Sequence, residues 1–332
     1  MPNPSPLLLV LDGNSLIHRT YHAGAGDPGD LEAWALRGFA RYAARAVSRL
    51  RPDAIVVGFD CPESSSRRLD YPAYKAQRPD KPGDLVAQLA AAPELLRAAG
   101  LCTVIPAGFE ADDVLASSAA HARRAGWRSI LMTSDRDAFA LIDDVTSVLR
   151  LRNGGFGEAV LIDAAGLHEL CGVHPHQYLD YAALRGDPSD NLPGVRGFGA
   201  AISARLLAAL GTVDAAWDDL DTGGRAVRAA VGEVAADRLA APESRDVVAR
   251  NRRLMRMRTD LPIPHLDGAR LPLDTARVRA ALGAGGLTLG PALWSLTTRR
   301  TVAPRTPEPH PPVFRRPVRH RREPTPGQLS LF

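Results

Sequence analysis

The stretch LLLVLDG at residues 7–13 decides the fold, because it is an uninterrupted apolar run that ends at Asp12. Two more stretches repeat this pattern: AIVVGF at 54–59 precedes Asp60, and SILMT at 129–133 precedes Ser134 and Asp135. A continuous apolar run is typical of a strand that is covered on both faces. The sequence therefore predicts buried parallel strands, each followed closely by an aspartate.

Helical patterns separate and follow these strands, over roughly residues 31–50, 84–99 and 111–125. Alternation of strand and helix predicts an α/β fold, a mostly parallel sheet with helices on both faces. Weaker strand patterns near 145–151 and 159–162 extend the sheet.

Beyond about residue 165 the strand signal fades, and residues 177–290 look helical apart from the break GDPSDNLPGVRGFG at 186–199. We therefore predict an α/β domain over residues 1–165 and a helical subdomain over 166–298. Residues 299–327 are rich in Pro and Arg and poor in aliphatic side chains, so we predict a disordered linker there.

The composition is that of an ordinary soluble protein, with 45% apolar and 23% charged residues. The start, MPNPSPLLLVLDG, has no basic region and an early Asp, which predicts neither a signal peptide nor a membrane anchor. Cys61, Cys102 and Cys171 are far apart and have no zinc-binding spacing. These features predict a cytoplasmic protein without a membrane partner.

The net charge of +4 is distributed unevenly. Residues 299–332 hold eight arginines against Glu308 and Glu323, which leaves 33 basic and 35 acidic side chains in the rest of the chain. Nearly all the basic residues are arginines, and alanine is also abundant. The number of arginines is therefore weak evidence for nucleic-acid binding.

Carboxylates concentrate where the predicted strands end. Ligands of an open parallel sheet bind beyond the carboxyl ends of its strands, so Asp12, Asp60 and Asp135 should converge there. Taken singly, such acids are usually turn or helix-cap residues. Further acids fall in FEADD at 109–113, in DRD at 135–137 and in GDPSDN at 186–191.

Electrostatic repulsion favours a metal site over the alternative that these acids are unrelated turn and helix-cap residues. Two like charges about 4 Å apart repel by about 4 kcal/mol at an effective dielectric constant of 20. Seven to nine carboxylates around one cleft could not stay ionised without cations, and oxygen ligands select Mg²⁺ or Mn²⁺ over Zn²⁺. Two such ions can hold the attacking and leaving oxygens of a phosphodiester.

Six short motifs follow one another within residues 7–215. They are LDGNSLIHRTYHA (11–23), GFDCP (58–62), YPAYKAQRP (71–79), FEADDVLA (109–116), TSDRDAFAL (133–141) and RGDPSDNLPGVRGFG (185–199). Each is weak alone, but in this order they resemble the 5′-3′ exonuclease/flap endonuclease family, which is typified by the N-terminal nuclease domain of bacterial DNA polymerase I. The chain resembles a stand-alone form of that nuclease.

The resemblance implies a PIN-like sheet domain with a helical arch near residues 64–93. It also implies a helix–hairpin–helix (helix–three-turn–helix) motif near 178–210 in the helical subdomain. The family's nine metal-site acids all find counterparts here: Asp12, Asp60, Glu110, Asp112, Asp113, Asp135, Asp137, Asp187 and Asp190.

Arch residues of the family contact the substrate, and the resemblance transfers these roles to this chain. Lys75 and Arg78 match catalytic positions that contact the scissile phosphate, and Tyr74 could stack on an unpaired base. The remaining predicted DNA contacts of this part of the chain are Arg19, Arg67, Arg68 and Lys81. From charge alone, a solvated basic loop is the competing interpretation of the arch.

The turn PGVRGFG at 193–199 matches the family's hairpin, which grips the duplex backbone and often holds a K⁺ ion. The predicted DNA contacts are Gly194, Arg196, Gly197, Gly199 and Arg205. Relatives commonly have Lys and Thr after the second glycine, whereas this chain has Ala201 and Ile202. A tight turn between two packed helices is the alternative.

Apolar residues return in the last five positions, QLSLF. They resemble the peptide by which bacterial polymerases and repair proteins dock on the sliding clamp, with Gln328, Leu329, Ser330, Leu331 and Phe332 as the clamp-binding residues. A frayed end with a chance match is the alternative.

The sequence thus predicts a metal-dependent 5′-3′ exonuclease or structure-specific 5′ flap endonuclease of DNA replication and repair. Its expected partners are DNA with 5′ ends, nicks or flaps, RNA–DNA hybrids and a sliding clamp. We expect a monomer associated with the nucleoid. The alternatives are a PIN-like ribonuclease and a non-catalytic module that binds flap DNA or the clamp.

Overall fold

The computed structural model describes residues 5–24, 33–152, 155–287 and 293–298. All of them belong to one compact unit, Met1–Arg299. The predicted linker at 299–327 and the predicted clamp-binding peptide at 328–332 lie outside the described residues.

A six-stranded sheet forms the centre of the described chain. Its strands are β1 (Leu7–Asp12), β2 (Ala54–Gly58), β3 (Cys102–Val104), β4 (Arg128–Thr133), β5 (Thr146–Arg152) and β6 (Gly155–Ile162). Their order across the sheet is β3-β2-β1-β4-β5-β6. The first five strands are parallel, and only β6 runs antiparallel to its neighbour β5.

The remaining elements are mostly helices. The first five are α1 (Gly13–Gly24), α2 (Trp34–Leu50), α3 (Ser66–Asp70), α4 (Gly83–Ala98) and α5 (Ala111–Arg124). The second half contains α6 (Ala164–Cys171), α7 (Tyr178–Arg185), β7 (Gly186–Asp187), β8 (Leu192–Pro193), α8 (Ala200–Leu210), α9 (Val213–Asp221), α10 (Arg225–Val231), α11 (Glu233–Ala240), α12 (Pro242–Met255), α13 (Thr275–Ala284) and α14 (Trp294–Thr297). Short 3₁₀ helices lie at Asp137–Leu141, Pro175–Gln177, Pro188–Asp190 and Leu266–Ala269.

Both faces of the sheet are buried, which explains the continuous apolar runs. Successive side chains of a strand point to opposite faces. Leu8 and Val10 therefore pack with Val114 of α5 in one hydrophobic cluster, whereas Leu9 and Leu11 pack with α1 and α2 in another. The prediction of a mostly parallel sheet with helices on both faces is confirmed.

One hydrophobic cluster connects the sheet to the helical half. It contains Val10 of β1 and also Tyr178, Leu184, Leu206 and Leu254 of the later helices. The predicted boundary at 165/166 thus falls between segments that share one core, and it stays a prediction.

Several segments differ from the sequence-based expectation. Residues 256–274 were expected to be helical, but their only helical turn is the 3₁₀ helix Leu266–Ala269. Strand β3 was not predicted, because it has only three residues and all three are partly exposed. The predicted arch at 64–93 includes much of α4, which buries Leu85, Ala92 and Leu96 in the core. Only the part before α4 is therefore free to cross the edge of the sheet.

A helix that spans a membrane needs about 20 consecutive, mostly apolar residues. Among the described residues no single helix is long and apolar enough to cross a membrane, and one bent pair, α8 with α9, passes by length and composition alone.

Candidate metal centre and nucleic-acid cleft

The carboxyl edge of the sheet borders an open cleft of about 1320 Å³. Asp12 is the last residue of β1 and pairs in register with Gly58 of β2, while Asp60 and Asp135 follow β2 and β4. The acids that line this cleft are Asp12, Asp60, Asp80, Asp112, Asp135 and Asp187. The structure thus brings together the three strand-end aspartates, as their positions predicted.

Hydrogen bonds from the adjoining elements orient the first two acids. Asp12 accepts one bond from the Ser15 amide at 2.9 Å and another from Thr133 Oγ1 at 2.7 Å. Asp60 accepts one from the Ala111 amide at 2.9 Å and one from Asn14 Nδ2 at 2.8 Å. The starts of α1 and α5 therefore hold both carboxylates at the edge of the sheet.

A smaller cavity contains Asp112 together with Asp137 and Asp190. The Asp137 amide donates to Asp135 Oδ1 at 2.9 Å, which ties the two aspartates of the DRD motif together. Oδ1 of Asp137 is buried and has no hydrogen-bond partner among the described residues. A buried carboxylate oxygen without a donor is costly, and a cation would remove that cost.

Burial and mutual repulsion raise the carboxyl pKa values in this cluster. The pKa of Asp12 rises to about 7, first through burial and then through Asp60 and Asp135. Burial and Asp135 also hold the pKa values of Asp112 and Asp137 well above the usual range. Lys75 lowers the pKa values of Asp112 and Asp137 but does not offset these effects.

The donor set fits divalent cations that prefer oxygen. Among the described His, Cys, Asp and Glu side chains, no three are placed so that they could hold a metal ion as they stand. The fit therefore rests on an all-carboxylate donor set around an open cleft and on the unpartnered Asp137 oxygen. Such a centre leaves room for solvent and substrate as additional ligands.

The two positively charged residues predicted to act in catalysis, Lys75 and Arg78, contact the acids. Lys75 Nζ is 2.9 Å from Glu110 Oε2 and 3.9 Å from Asp190 Oδ2. Arg78 Nη2 is 2.5 Å from Asp190 Oδ1, and both basic residues also line the large cleft. The segment before α4 thus brings positive charge to the acidic centre.

Arg67 is held by partners within the protein, and its predicted contact with DNA stays a prediction. Its side chain is 8% exposed, and its guanidinium forms a bidentate pair with Asp113 at 2.7 and 2.8 Å. Its Nε also donates to the carbonyl oxygen of Leu254 at 2.7 Å. Arg67 therefore anchors the base of the arch to the helical half.

Asp113, a predicted metal ligand, is surrounded by donors of the protein, and its metal role stays a prediction. Besides Arg67, its Oδ1 accepts from the Arg258 amide at 2.8 Å, and its Oδ2 accepts from the Glu110 amide at 3.1 Å. The side chain has no exposed surface. Both oxygens are therefore occupied by protein donors.

Tyr74 is buried, which disfavours stacking on a base, and that role stays a prediction. Its ring is 4% exposed and belongs to the hydrophobic core. Its hydroxyl donates to Glu110 Oε2 at 3.2 Å, and Lys75 Nζ lies 4.6 Å from the ring centre. Tyr74 therefore supports the Lys75–Glu110 pair from beneath.

The other predicted DNA contacts are accessible. Arg68, Lys81, Arg196 and Arg205 are exposed, and Arg19 lines the large cleft. Their roles stay predictions.

The predicted hairpin lies between α7 and α8. A Cβ at Gly194 would meet the backbone of Arg185 at 2.3 Å, so this glycine is needed for packing. Gly197 has φ +84°, which favours glycine, and Gly199 immediately precedes α8. The geometry accounts for two of these glycines without DNA, and all three stay predicted contacts.

Sequence reasoning missed several residues that line the large cleft, among them Asn14, His18, Arg136, Arg150 and Arg185. Asn14 belongs to the LDGNS motif, and its contact with Asp60 gives it a clear function. Burial, followed by nearby Lys81, lowers the pKa of His18 to about 4. In the sequence the three arginines cannot be told apart from the many others.

Comparisons with known proteins agree with this fold and site. A model described as "5′-3′ exonuclease, N-terminal resolvase-like domain" matches residues 7–172. A second, "5′-3′ exonuclease, C-terminal SAM fold", matches residues 173–276. DNA polymerase I of Mycobacterium bovis is 36% identical over 262 residues, which are 78% of this chain and 28% of that protein. The chain thus spans little more than a quarter of the length of this relative.

Solved structures from phage T5 share the fold. The T5 D15 protein co-crystallised with metal ions has a TM-score of 0.62 at 20% identity, covering 87% of this chain and 96% of its own. The D15 flap endonuclease in a pseudo-enzyme–product complex with DNA and metal ions has a TM-score of 0.61 at 21% identity, covering 84% and 93%. Because the two family models together match residues 7–276, the chain belongs to the 5′-3′ exonuclease family.

Proposed function

We propose that the chain hydrolyses phosphodiesters near DNA 5′ ends and at 5′ flaps with the help of two Mg²⁺ or Mn²⁺ ions. The observation that carries this proposal is the meeting, in one cleft, of carboxylates at the ends of β1, β2 and β4 and at the start of α5, with raised pKa values at Asp12 and Asp112. The metal ions and DNA in the phage T5 structures support it.

The residues that would hold the ions are Asp12, Asp60, Glu110, Asp112, Asp135, Asp137, Asp187 and Asp190. When bound, divalent ions supply a hydroxide near neutral pH and neutralise charge on the phosphate. Asn14, Ser15 and Thr133 keep Asp60 and Asp12 oriented towards that position. Ordered carboxylates avoid reorganisation when the phosphate arrives.

Lys75 and Arg78 would act on the scissile phosphate. They lie at the rim of the acidic centre and would exchange part of their contact with Glu110 and Asp190 for phosphate oxygens. Cations fixed at that position stabilise the negative charge that grows in the transition state.

Duplex DNA would bind at the hairpin before α8, with Arg196 and Arg205 on the phosphates and a K⁺ ion on backbone carbonyls. Backbone amides at the start of a helix favour an anion. Because Ala201 and Ile202 offer no cationic side chain, we expect grip on the duplex to depend on the two arginines.

The nearest alternative is a PIN-like ribonuclease that cuts unstructured RNA. The segment before α4, which carries Lys75 and Arg78, argues against a ribonuclease of this kind. Gln77 of that segment donates to the Pro188 carbonyl and Asn191 donates to the Ala73 carbonyl, so the segment is attached to the 188–191 turn. A PIN-like ribonuclease explains neither this segment nor the hairpin. The other alternative is a non-catalytic module for flap DNA or the clamp. The presence of all the predicted acids argues for catalysis.

Metal removal tests the proposal directly. Incubation of a labelled 5′-flap DNA and a nicked duplex with the protein and Mg²⁺ should release short 5′ products. EDTA should lower the rate by about 10³-fold or more, because the metal contributes several kcal/mol to the transition state. Flap binding without cleavage would favour the non-catalytic module, and cleavage of unstructured RNA alone would favour the ribonuclease. RNA–DNA hybrids in the same assay rank the two substrates.

We further propose that QLSLF at 328–332 docks on a sliding clamp, with Leu329, Leu331 and Phe332 in apolar pockets and Gln328 in a polar contact. Tethering would raise the local concentration of nuclease at the clamp.

Replacing QLSLF by a scrambled peptide of the same composition should abolish co-elution with the clamp. The rate of flap cleavage without the clamp should stay within about twofold, because the peptide lies outside the proposed cleft. Unchanged co-elution would contradict the docking proposal. We also propose a nucleoid-associated, cytoplasmic monomer, which light scattering and cell fractionation would test.

A further inference from the structure

Three arginines line the cleft and a fourth lies near one of them, and none of the four forms a salt bridge with a described acid. Arg136, Arg150 and Arg185 line the cleft, and Arg152 ends β5 two residues after Arg150. We call these four residues the arginine rim. None of them forms a salt bridge with a described acid, whereas Arg123 pairs with Asp143 and Asp144.

The rim begins beside the proposed metal centre. Arg150 pairs in register with Thr133, the last residue of β4, and Asp135 follows two residues later. Arg136 stands between the proposed ligands Asp135 and Asp137 in the sequence, and its side chain is exposed. A substrate in the acidic centre would therefore reach the rim without leaving the cleft.

Like charges are held close together in the rim. Partial burial, followed by Arg136 and Arg152, lowers the pKa of Arg150. The Nε of Arg150 is buried without a hydrogen-bond partner in the described chain, and the only aromatic contact of its guanidinium is the Phe139 ring at 5.8 Å. An unpaired, partly desolvated guanidinium is stabilised by an anion.

The rim lies on the other side of the central strand from the arch. In the order β3-β2-β1-β4-β5-β6 the arch leaves the sheet after β2, whereas Arg150 and Arg152 lie on β5. Lys75 and Arg78 of the arch are paired with Glu110 and Asp190. The rim therefore offers cations that are not held in salt bridges by the described acids, although Asp135 lies near enough to attract Arg150.

We propose that the arginine rim binds backbone phosphates of the nucleic-acid strand on the β5 side of the scissile bond. A guanidinium presents a planar fork that matches two phosphate oxygens, which suits it to this ligand better than a point charge. Contacts of this kind fix register without reading bases. The inference rests on the proposed nuclease function, because it assumes that the substrate is a nucleic acid.

Salt dependence of binding tests the rim. Fluorescence anisotropy would measure the affinity for a 5′-flap DNA across a KCl series, with Ca²⁺ in place of Mg²⁺ to limit cleavage. Each phosphate contact contributes roughly 0.9 to the slope of log K against log salt concentration. The double variant Arg136→Gln/Arg150→Gln should therefore lower the slope by about two and weaken binding about 10- to 100-fold at low salt.

Matched variants keep the test decisive. Arg136→Gln alone changes an exposed side chain and should lower the slope by about one, whether or not the double variant folds. Arg150→Lys should restore much of the slope but not the full affinity, because it keeps the charge and loses the fork. Arg123 is paired with Asp143 and Asp144, which precede β5 at the amino ends of the strands. Arg123→Gln should therefore leave the slope unchanged.

The outcomes separate the rim from the proposed function. Suppose that the wild-type protein binds and cleaves the flap, and that the rim variants show the same salt slope and the same affinity. The rim proposal is then overturned, and the nuclease proposal stands. If the wild-type protein neither binds nor cleaves, the nuclease proposal fails and the rim proposal falls with it.

Discussion

Replacing Asp135 by asparagine will lower the rate of flap cleavage by about three orders of magnitude or more in Mg²⁺. Asp135 lines the cleft and raises the pKa values of Asp12, Asp112 and Asp137, which makes it the acid that connects the cluster. A metal ligand contributes several kcal/mol to the transition state, and each 1.36 kcal/mol is tenfold in rate. Single-turnover cleavage of a labelled flap measures the loss.

The same variant should stay folded. Asparagine keeps the oxygen that accepts from the Asp137 amide, and it removes one negative charge from a repelling group. In EDTA its free energy of unfolding should equal or exceed that of the wild-type protein. Asp144→Asn, an exposed acid beside Arg123, serves as the control and should cleave at the wild-type rate. Wild-type turnover by Asp135→Asn would remove Asp135 from the metal centre.

Replacing Arg67 by methionine should destabilise the protein by about 3–5 kcal/mol, because it leaves Asp113 buried without its charged partner. The guanidinium contacts both oxygens of Asp113 and the carbonyl of Leu254. Urea unfolding followed by circular dichroism measures the change in the free energy of unfolding.

Two companion variants identify the cause of this loss. Arg68→Met, an exposed neighbour, should change stability by less than about 0.5 kcal/mol. The double variant Arg67→Met/Asp113→Asn should cost at least about 1 kcal/mol less than the two single variants combined, because asparagine removes the stranded charge. If Arg67→Met instead lost DNA affinity without losing stability, Arg67 would be a DNA-contacting residue.

Strands and helices with strong apolar patterns were predictable from the sequence. Helices cover both faces of the sheet, so its inner strands are apolar throughout. This is why the runs LLLVL and AIVVG correctly predicted β1 and β2. Strand β3 was missed because its three partly exposed residues carry no such pattern. The burial of Leu85 in α4 could not be predicted, because it depends on its partners in the fold rather than on its neighbours in sequence.

The acidic site was predictable in outline because aspartates at the ends of parallel strands must meet. The buried contacts of Arg67, Tyr74 and Asp113 were not, because motif order cannot show which side chains face inwards. Asp113 lies on the same first helical turn as Asp112, yet the two point to different surroundings. Asp113 accepts hydrogen bonds from Arg67 and from the Arg258 and Glu110 amides, whereas Asp112 lines the cleft.

The bond from Arg67 Nε to the Leu254 carbonyl joins residues 187 positions apart. During synthesis, the base of the arch therefore cannot reach its final place until residue 254 has left the ribosome. Contacts of such long range also slow folding, because a large loop must close before they form. A newly made chain would thus expose an unfinished cleft for most of its translation, and the cleft would be completed only when α12 arrives.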